Sequence, residues 1–188
     1  MGWLFKPADT KNNTRLQLVI DDINFSDDTA TSKVIYGKQN GSVCYLAVNY
    51  KKHTTGEEIT YGLVALTAID NRDFCNFGTK YISEDMGPNY FNAPKKLIEM
   101  LSPTQSEWAN NWRQECLANV GKTTKRVKDA EILRNLPLNT VIRVNDPSGT
   151  IVTPYIHQGK RRYKIVDRWA RLSVKYILNY GFEVEPHK

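Results

Sequence analysis

The sequence predicts an α+β protein, in which an antiparallel β-meander covered by two helices is followed by a small, basic, β-rich and barrel-like domain. Three observations predict this class: β-rich runs joined by an Asn-Gly turn, an aromatic stripe at helical spacing, and a basic last third with short β-runs between Gly and Pro turns. With 188 residues, of which 40% are hydrophobic, the chain has enough apolar side chains for a packed core.

The predicted meander occupies residues 32–70. Residues 32–52 contain two β-rich runs around Asn40-Gly41, and a third run, 58–70, follows a polar turn. Asn-Gly between such runs indicates a hairpin, because both residues tolerate positive φ. Residues 43–48 are apolar on both faces, so we expect the middle strand to be covered on both sides and Cys44 to be a buried, small hydrophobic residue.

Two helices are expected next. Residues 92–101 begin with an Asn and an early Pro, and residues 102–121 begin with Ser102 followed by Pro, with a Gln three residues after the Ser. The second helix is expected to end at Gly121. Its apolar stripe, which should pack on the sheet, recurs at i, i+4 and i+8 and comprises Trp108, Trp112 and Cys116.

The predicted domains are 1–119, a basic linker at 120–129, and 130–188. The charge follows this division, since residues 118–188 hold 14 Lys and Arg against 6 Asp and Glu, whereas the rest of the chain holds 12 against 14. The net charge of +6 therefore comes from a basic last third attached to a mildly acidic body. Such an asymmetry is typical of proteins with a polyanionic partner, although a solvated basic surface has the same composition.

Composition also excludes several classes of protein. No apolar run approaches the roughly 20 residues of a membrane helix, and the N-terminus lacks the pattern of a secretion signal, so we expect a cytoplasmic protein without membrane contact. The three cysteines are far apart, and the three histidines lie in or beside polar, turn-like stretches. Because no metal-ligand spacing and no nucleophile motif occurs, neither a metal nor a cofactor nor a catalytic residue is predicted, and binding is favoured over catalysis.

The predicted binding residues lie in the basic last third. On a strand, Lys160, Arg162 and Lys164 share one face, and Arg161 falls on the other with Tyr163 and Ile165. A helix is expected to follow, with cations opposite Trp169, Leu172 and Tyr176. The residues predicted to bind nucleic acid or another partner are Lys160, Arg161, Arg162, Lys164, Arg168, Arg171 and Lys175. Phosphate contacts suit this pattern, but nothing in it resembles a base-reading helix.

A second candidate site is the segment "SEDMGPNYFNAPKK", residues 83–96. Gly87-Pro88 makes a turn, and the residues predicted to recognise a partner are Glu84, Asp85, Tyr90 and Phe91. A rigid corner that buries one aromatic ring is the alternative, and catalysis by the adjacent carboxylates is a third interpretation. We expect one of the two rings to be buried and the other to be available to a partner.

The stretches "MGWLF", "SEDMGPNYFNAPKKLIEML" and "EWANNWRQEC" resemble a family of uncharacterised proteins of phages, plasmids and other mobile elements. The resemblance spans most of the chain, but Ala93 stands where the family usually has Cys before a Pro. It implies a setting in the cytoplasm of a host bacterium rather than a mechanism, because the family has no assigned activity. Small proteins of this setting are often accessory factors that act against host defence.

Three function classes follow from these observations. The first is a non-enzymatic binding protein of a mobile element that engages nucleic acid or a nucleoprotein defence complex, as an anti-CRISPR or anti-restriction inhibitor does. The second is an enzyme that processes nucleic acid or nucleotides with residues 84–91. The third is a protein–protein adaptor with an acidic partner. The sequence leaves the oligomeric state open.

Overall fold

The computed structural model describes residues 2–7, 14–70 and 76–185. The chain forms two compact units, Met1–Gly121 and Lys122–Lys188. One contains a six-stranded antiparallel sheet and the other a smaller, five-stranded antiparallel sheet, so the predicted α+β class is confirmed at this level. Within the described residues, no helix combines the length and the apolarity that a membrane crossing requires.

The first unit contains a sheet and three helices. Its elements, in chain order, are β1 (Leu4–Pro7), α1 (Arg15–Ile23), β2 (Phe25–Ser26), β3 (Ala30–Asn40), β4 (Val43–Lys52), β5 (Glu58–Asp70), β6 (Asn76–Ser83), a single 3₁₀ turn (Glu84–Met86), α2 (Lys95–Ile98) and the start of α3 (Glu107–Asn135). The strand order is β1-β6-β5-β4-β3-β2. The predicted meander is therefore present as β3, β4 and β5, and β1, β2 and β6 extend it.

Strand β4 is buried on both faces, as its apolar run predicts. Cys44, Leu46 and Val48 point to one face and form a core with Val19 of α1. Tyr45 and Ala47 point to the other face and form a second core with side chains of α2 and α3. Since the side chains of a strand alternate, one continuous apolar run supplies both cores.

The predicted helix boundaries are partly wrong. The first predicted helix is the single turn α2, and α3 begins at Glu107 rather than at Ser102, because the hydroxyl of Ser106 accepts a hydrogen bond from the Ala109 amide and caps the helix there. The helix does not end at Gly121. One Gly inside a helix costs only about 1 kcal/mol relative to Ala, which the good helix formers around it offset. Residues 120–129, predicted as a linker, are consequently helical.

The second unit contains the five-stranded sheet, the end of α3 and one short helix. Its further elements are β7 (Ile142–Val144), β8 (Ile151–His157), β9 (Lys160–Ile165), β10 (Arg171–Leu172), α4 (Val174–Tyr180) and β11 (Phe182–Val184). The strand order is β10-β9-β8-β7-β11, with β10 and β11 at the edges. One face of this sheet forms a core with Leu133 of α3 and Ile177 of α4.

The helix predicted at residues 168–176 begins later than expected. Residues 166–169 form a turn, Arg171 lies in β10, and α4 begins only after Ser173, whose hydroxyl accepts a hydrogen bond from the Tyr176 amide. Trp169, expected to be on a buried side, is fully exposed at 110% of the reference area. The local pattern missed this because a strand of two residues is too short to leave an alternation.

Both described cysteines are predicted to be unreactive in the folded protein. Cys44 and Cys116 are completely buried, and burial raises the pKa of each thiol to about 11. Because the thiolate is the reactive form, neither should react with a thiol reagent at pH 8 in a Cys75→Ser variant, and both should react after denaturation. Counting modified thiols by mass spectrometry checks this. Rapid native labelling at Cys44 or Cys116 would contradict the burial that both cores require.

Candidate functional site

The cations of β9 lie on the outer face of the second sheet, away from its core. In β9, Tyr163 is buried in the core, whereas Lys160, Arg162 and Lys164 are exposed. This placement agrees with the alternation expected of a strand. Arg171 of β10 pairs with Lys164, and residues directly opposite each other in an antiparallel pair share a face, so Arg171 joins the same face.

Strand β8 brings two aromatic rings to this outer face. Tyr155 pairs with Arg162, and His157 pairs with Lys160, so the rings lie beside the cations. Their centroids are 6.4 Å apart. A row of cations therefore runs along a row of half-buried rings. Neither ring was predicted from the sequence, because only the pairing of β8 with β9 places them beside the cations.

The turn between β9 and β10 adds Arg168 and Trp169. Two clefts open around it, and Lys164, Arg168 and Trp169 line both. The larger cleft, of about 360 Å³, also includes Asp167. The smaller cleft, of about 230 Å³, includes Tyr155 and Arg171 instead and has no carboxylate in its lining. We call the outer-face residues Tyr155, His157, Lys160, Arg162, Lys164, Arg168, Trp169 and Arg171 the cationic face.

The charges of the cationic face are not neutralised within the described residues. In that part of the chain, no carboxylate lies within ion-pair distance of its five Lys and Arg side chains, whereas Arg143 of β7 is paired with Glu185 at 2.8 Å. Glu183 of β11 pairs with Arg143 in register and so lies toward the β11 edge of the same sheet face. The positive charge is therefore concentrated at the β9–β10 edge. An unpaired group of like charges favours an anionic partner, because that partner relieves their repulsion.

A buried hydroxyl lies beside these charges. Thr153 pairs with Lys164 and therefore shares its face, is 8% exposed, and has an Oγ1 atom without a hydrogen-bond partner in the described part of the chain. Buried polar atoms are nearly always hydrogen-bonded.

Two of the predicted binding residues lie elsewhere. Arg161 points to the opposite face of β9, where its Nη1 atom donates to the Leu133 carbonyl oxygen at 3.3 Å. That oxygen lies in the last turn of α3 and also accepts a bond from the Tyr163 hydroxyl at 2.7 Å. A cation at this position stabilises the end of a helix, which gives Arg161 a structural role. Lys175 is exposed on α4, the helix that covers the core face.

The segment 83–96 is held on α3 by a buried ion pair. Glu84 is 4% exposed, and its two carboxylate oxygens accept bonds of 2.7 Å from Nε and Nη2 of Arg113. Arg113 also donates to the Ser102 carbonyl oxygen at 2.8 Å. Glu84 is therefore a structural residue and not a group available to a partner. Asp85 is exposed.

We expected one ring of this segment to be buried and the other to be available to a partner, and this prediction is wrong. Tyr90 and Phe91 are both half-buried and both pack against the core that includes Trp112. The Trp112 indole donates to the Tyr90 carbonyl oxygen at 2.8 Å, and the Asn119 amide donates to that of Phe91 at 3.2 Å. These contacts make the segment a fixed corner of the first unit.

The predicted burial of the apolar stripe of α3 is confirmed for two of its three residues. Trp112 and Cys116 are buried, but Trp108 is 67% exposed and lies against Gly87. Gly87 has φ of +60°, and a Cβ atom there would come within 2.7 Å of the Trp108 ring. Only glycine meets both conditions. Ala93 is completely buried in the same core.

Two further findings concern metal binding and similarity to known proteins. Across residues 2–7, 14–70 and 76–185, no group of three or more His, Cys, Asp and Glu side chains is arranged to hold a metal ion. Compared with known protein families, curated proteins and solved structures, the chain matches none.

Proposed function

We propose that this chain is a non-enzymatic binding protein that engages the phosphate backbone of nucleic acid through the cationic face. The observation that carries the proposal is the group of five cations at the β9–β10 edge, which has no ion-pair partner among the described residues. Phosphate contacts from Lys and Arg supply most of the affinity of sequence-independent binding. Because contacts to phosphates carry no sequence information, the proposed binding is largely independent of sequence.

The salt dependence of binding tests this proposal. Five phosphate contacts would give a slope of about −4.5 in log K against log salt on duplex DNA and about −3.5 on single strands, since each contact contributes roughly −0.9 or −0.7. We expect a linear dependence with a slope between about −2 and −4, because not every cation has to reach a phosphate. Fluorescence anisotropy of labelled oligonucleotides between about 25 and 250 mM salt measures this slope. Over this range the Debye length falls from roughly 20 Å to roughly 6 Å.

An acidic peptide is the matched competitor. If poly-glutamate of equal charge displaces the oligonucleotide at equal concentration, the surface reads charge alone, and an adaptor with an acidic protein partner becomes the better interpretation. If neither DNA nor RNA binds at 25 mM salt, a value at which the Debye length is roughly 20 Å and surface charges act strongly, the nucleic-acid proposal is wrong.

We further propose that this binding acts in a mobile-element setting, on nucleic acid within a host-defence complex. The support is the resemblance of the N-terminal and central stretches to mobile-element proteins. Affinity capture from phage-infected or plasmid-bearing cells, with and without nuclease, tests the setting. Subunits of a defence complex that are captured only without nuclease would support it, and capture that resists nuclease would indicate a direct protein contact instead.

A further inference from the structure

We infer that the cationic face is built for single-stranded nucleic acid, with an unpaired base stacked on Trp169 and the adjoining phosphates held by Lys164, Arg168 and Arg171. The inference rests on the proposed function and specifies its substrate class. It starts from the exposure of Trp169, whose ring is entirely free of packing. A large aromatic side chain without any packing is uncommon at a protein surface, and exposed aromatic groups beside cations are typical of binding sites.

The two clefts suit different parts of a nucleotide. The smaller cleft combines Lys164, Arg168 and Arg171 with no carboxylate, and so suits phosphate. The larger cleft adds Asp167 and the exposed Val166 to Lys164, Arg168 and Trp169, so it has less net positive charge than the smaller cleft and is better suited to a base. Because Lys164, Arg168 and Trp169 line both clefts, a base and its own phosphate would lie in adjoining places.

A second ring continues the site along the sheet. Tyr155 lines the smaller cleft and pairs in register with Arg162, and His157 pairs with Lys160. A row of cations on β9 thus runs beside a row of rings on β8, and this arrangement suits a single strand, whose backbone follows the charges while its bases stack on the rings.

A duplex would use only part of this face. Its phosphates could meet the cations, but its bases are stacked on one another and offer no open face to Trp169 or Tyr155. Stacking is tolerant of sequence because each base has an aromatic face. We therefore expect binding that prefers single strands and is largely independent of sequence.

The test compares one mixed-sequence oligonucleotide as single-stranded DNA, as single-stranded RNA and as a DNA duplex, with the full chain. Trp169→Ala should weaken single-strand binding by about 5- to 150-fold, the range for loss of one stacked base, and should change duplex binding by less than about twofold. Trp169→Phe should retain most of the single-strand affinity. Because Trp169 has no packing to lose, the melting temperature should not change, and quenching of tryptophan fluorescence by single strands should decrease in Trp169→Phe.

Trp108→Ala is the matched control, since it removes another exposed tryptophan far along the sequence and should leave binding unchanged. Equal affinity for the duplex and the single strands, with no effect of Trp169→Ala, would overturn this inference and leave the proposed function in place. Failure to bind any of the three oligonucleotides would overturn both.

Discussion

We expect Arg113→Met to lower the free energy of unfolding by about 3–5 kcal/mol, because it leaves the Glu84 carboxylate buried without a partner. Glu84 is 4% exposed and accepts both of its 2.7 Å bonds from Arg113. The same arginine donates to the Ser102 carbonyl oxygen, and Ser102 exchanges bonds of 2.8 Å with the Thr60 backbone of β5. One substitution therefore removes the Arg113 bonds at both ends of the 83–102 segment, to Glu84 and to Ser102.

A second pair in the chain is the matched control for this prediction. Arg143 and Glu185 meet at 2.8 Å, but their side chains are 49% and 38% exposed. Exposed pairs contribute about 0–1 kcal/mol, so Arg143→Met should have little effect. Urea denaturation followed by circular dichroism measures both variants, and hydrogen exchange assigns the loss to the first unit.

The double variant Glu84→Met, Arg113→Met separates the charge from the packing. Replacing both members of a buried pair with apolar side chains is often close to neutral, so the double variant should be more stable than Arg113→Met alone. If both variants are equally destabilised, the cost comes from the lost packing of the arginine stem. If neither is destabilised, the ion pair does not hold the segment.

The second large effect is expected from reversing the cationic face. The triple variant Lys160→Glu, Arg162→Glu, Lys164→Glu should weaken oligonucleotide binding by at least about 100-fold at low salt, since three attractions to phosphate become repulsions. All three side chains are exposed, so the variant should unfold at nearly the same urea concentration as the original chain. Anisotropy titrations at 25 mM salt, where the Debye length is roughly 20 Å, measure the loss.

The control must change the net charge equally without touching this face. Lys33 of β3 and Lys51 and Lys52 of β4 are exposed in the first unit, and reversing all three alters the charge of the chain by the same amount. Binding that survives this control and fails in the Lys160, Arg162 and Lys164 variant would locate the interaction. An equal loss in both variants would mean that total charge alone governs binding, which contradicts a defined interface.

Local sequence patterns predicted the structure correctly where the residues of a single strand or turn determine it. The β3–β4 hairpin, the doubly buried β4 and the exposed cations of β9 were all predicted, because alternation and turn chemistry act over a few residues. The turn itself lies one residue later than predicted: Asn40 pairs with Val43, and the loop is Gly41-Ser42, with φ of +61° at Gly41. The predicted α+β class follows from the same signals. Local sequence patterns did not predict the ends of the long helix. Ser106 rather than Ser102 caps α3, and Gly121 does not end it.

Contacts between distant parts of the chain decided the roles of the side chains in both candidate sites. By itself, the sequence determined that cations share one face of β9 and that carboxylates precede Gly87. The tertiary structure alone decided that Glu84 is paired with Arg113, 29 residues away, and that Trp169 is exposed beside Tyr155 and Arg171. The physical reason is that burial and pairing depend on which strand lies next to which, and strand neighbours are set by long-range packing that no window of a few residues contains.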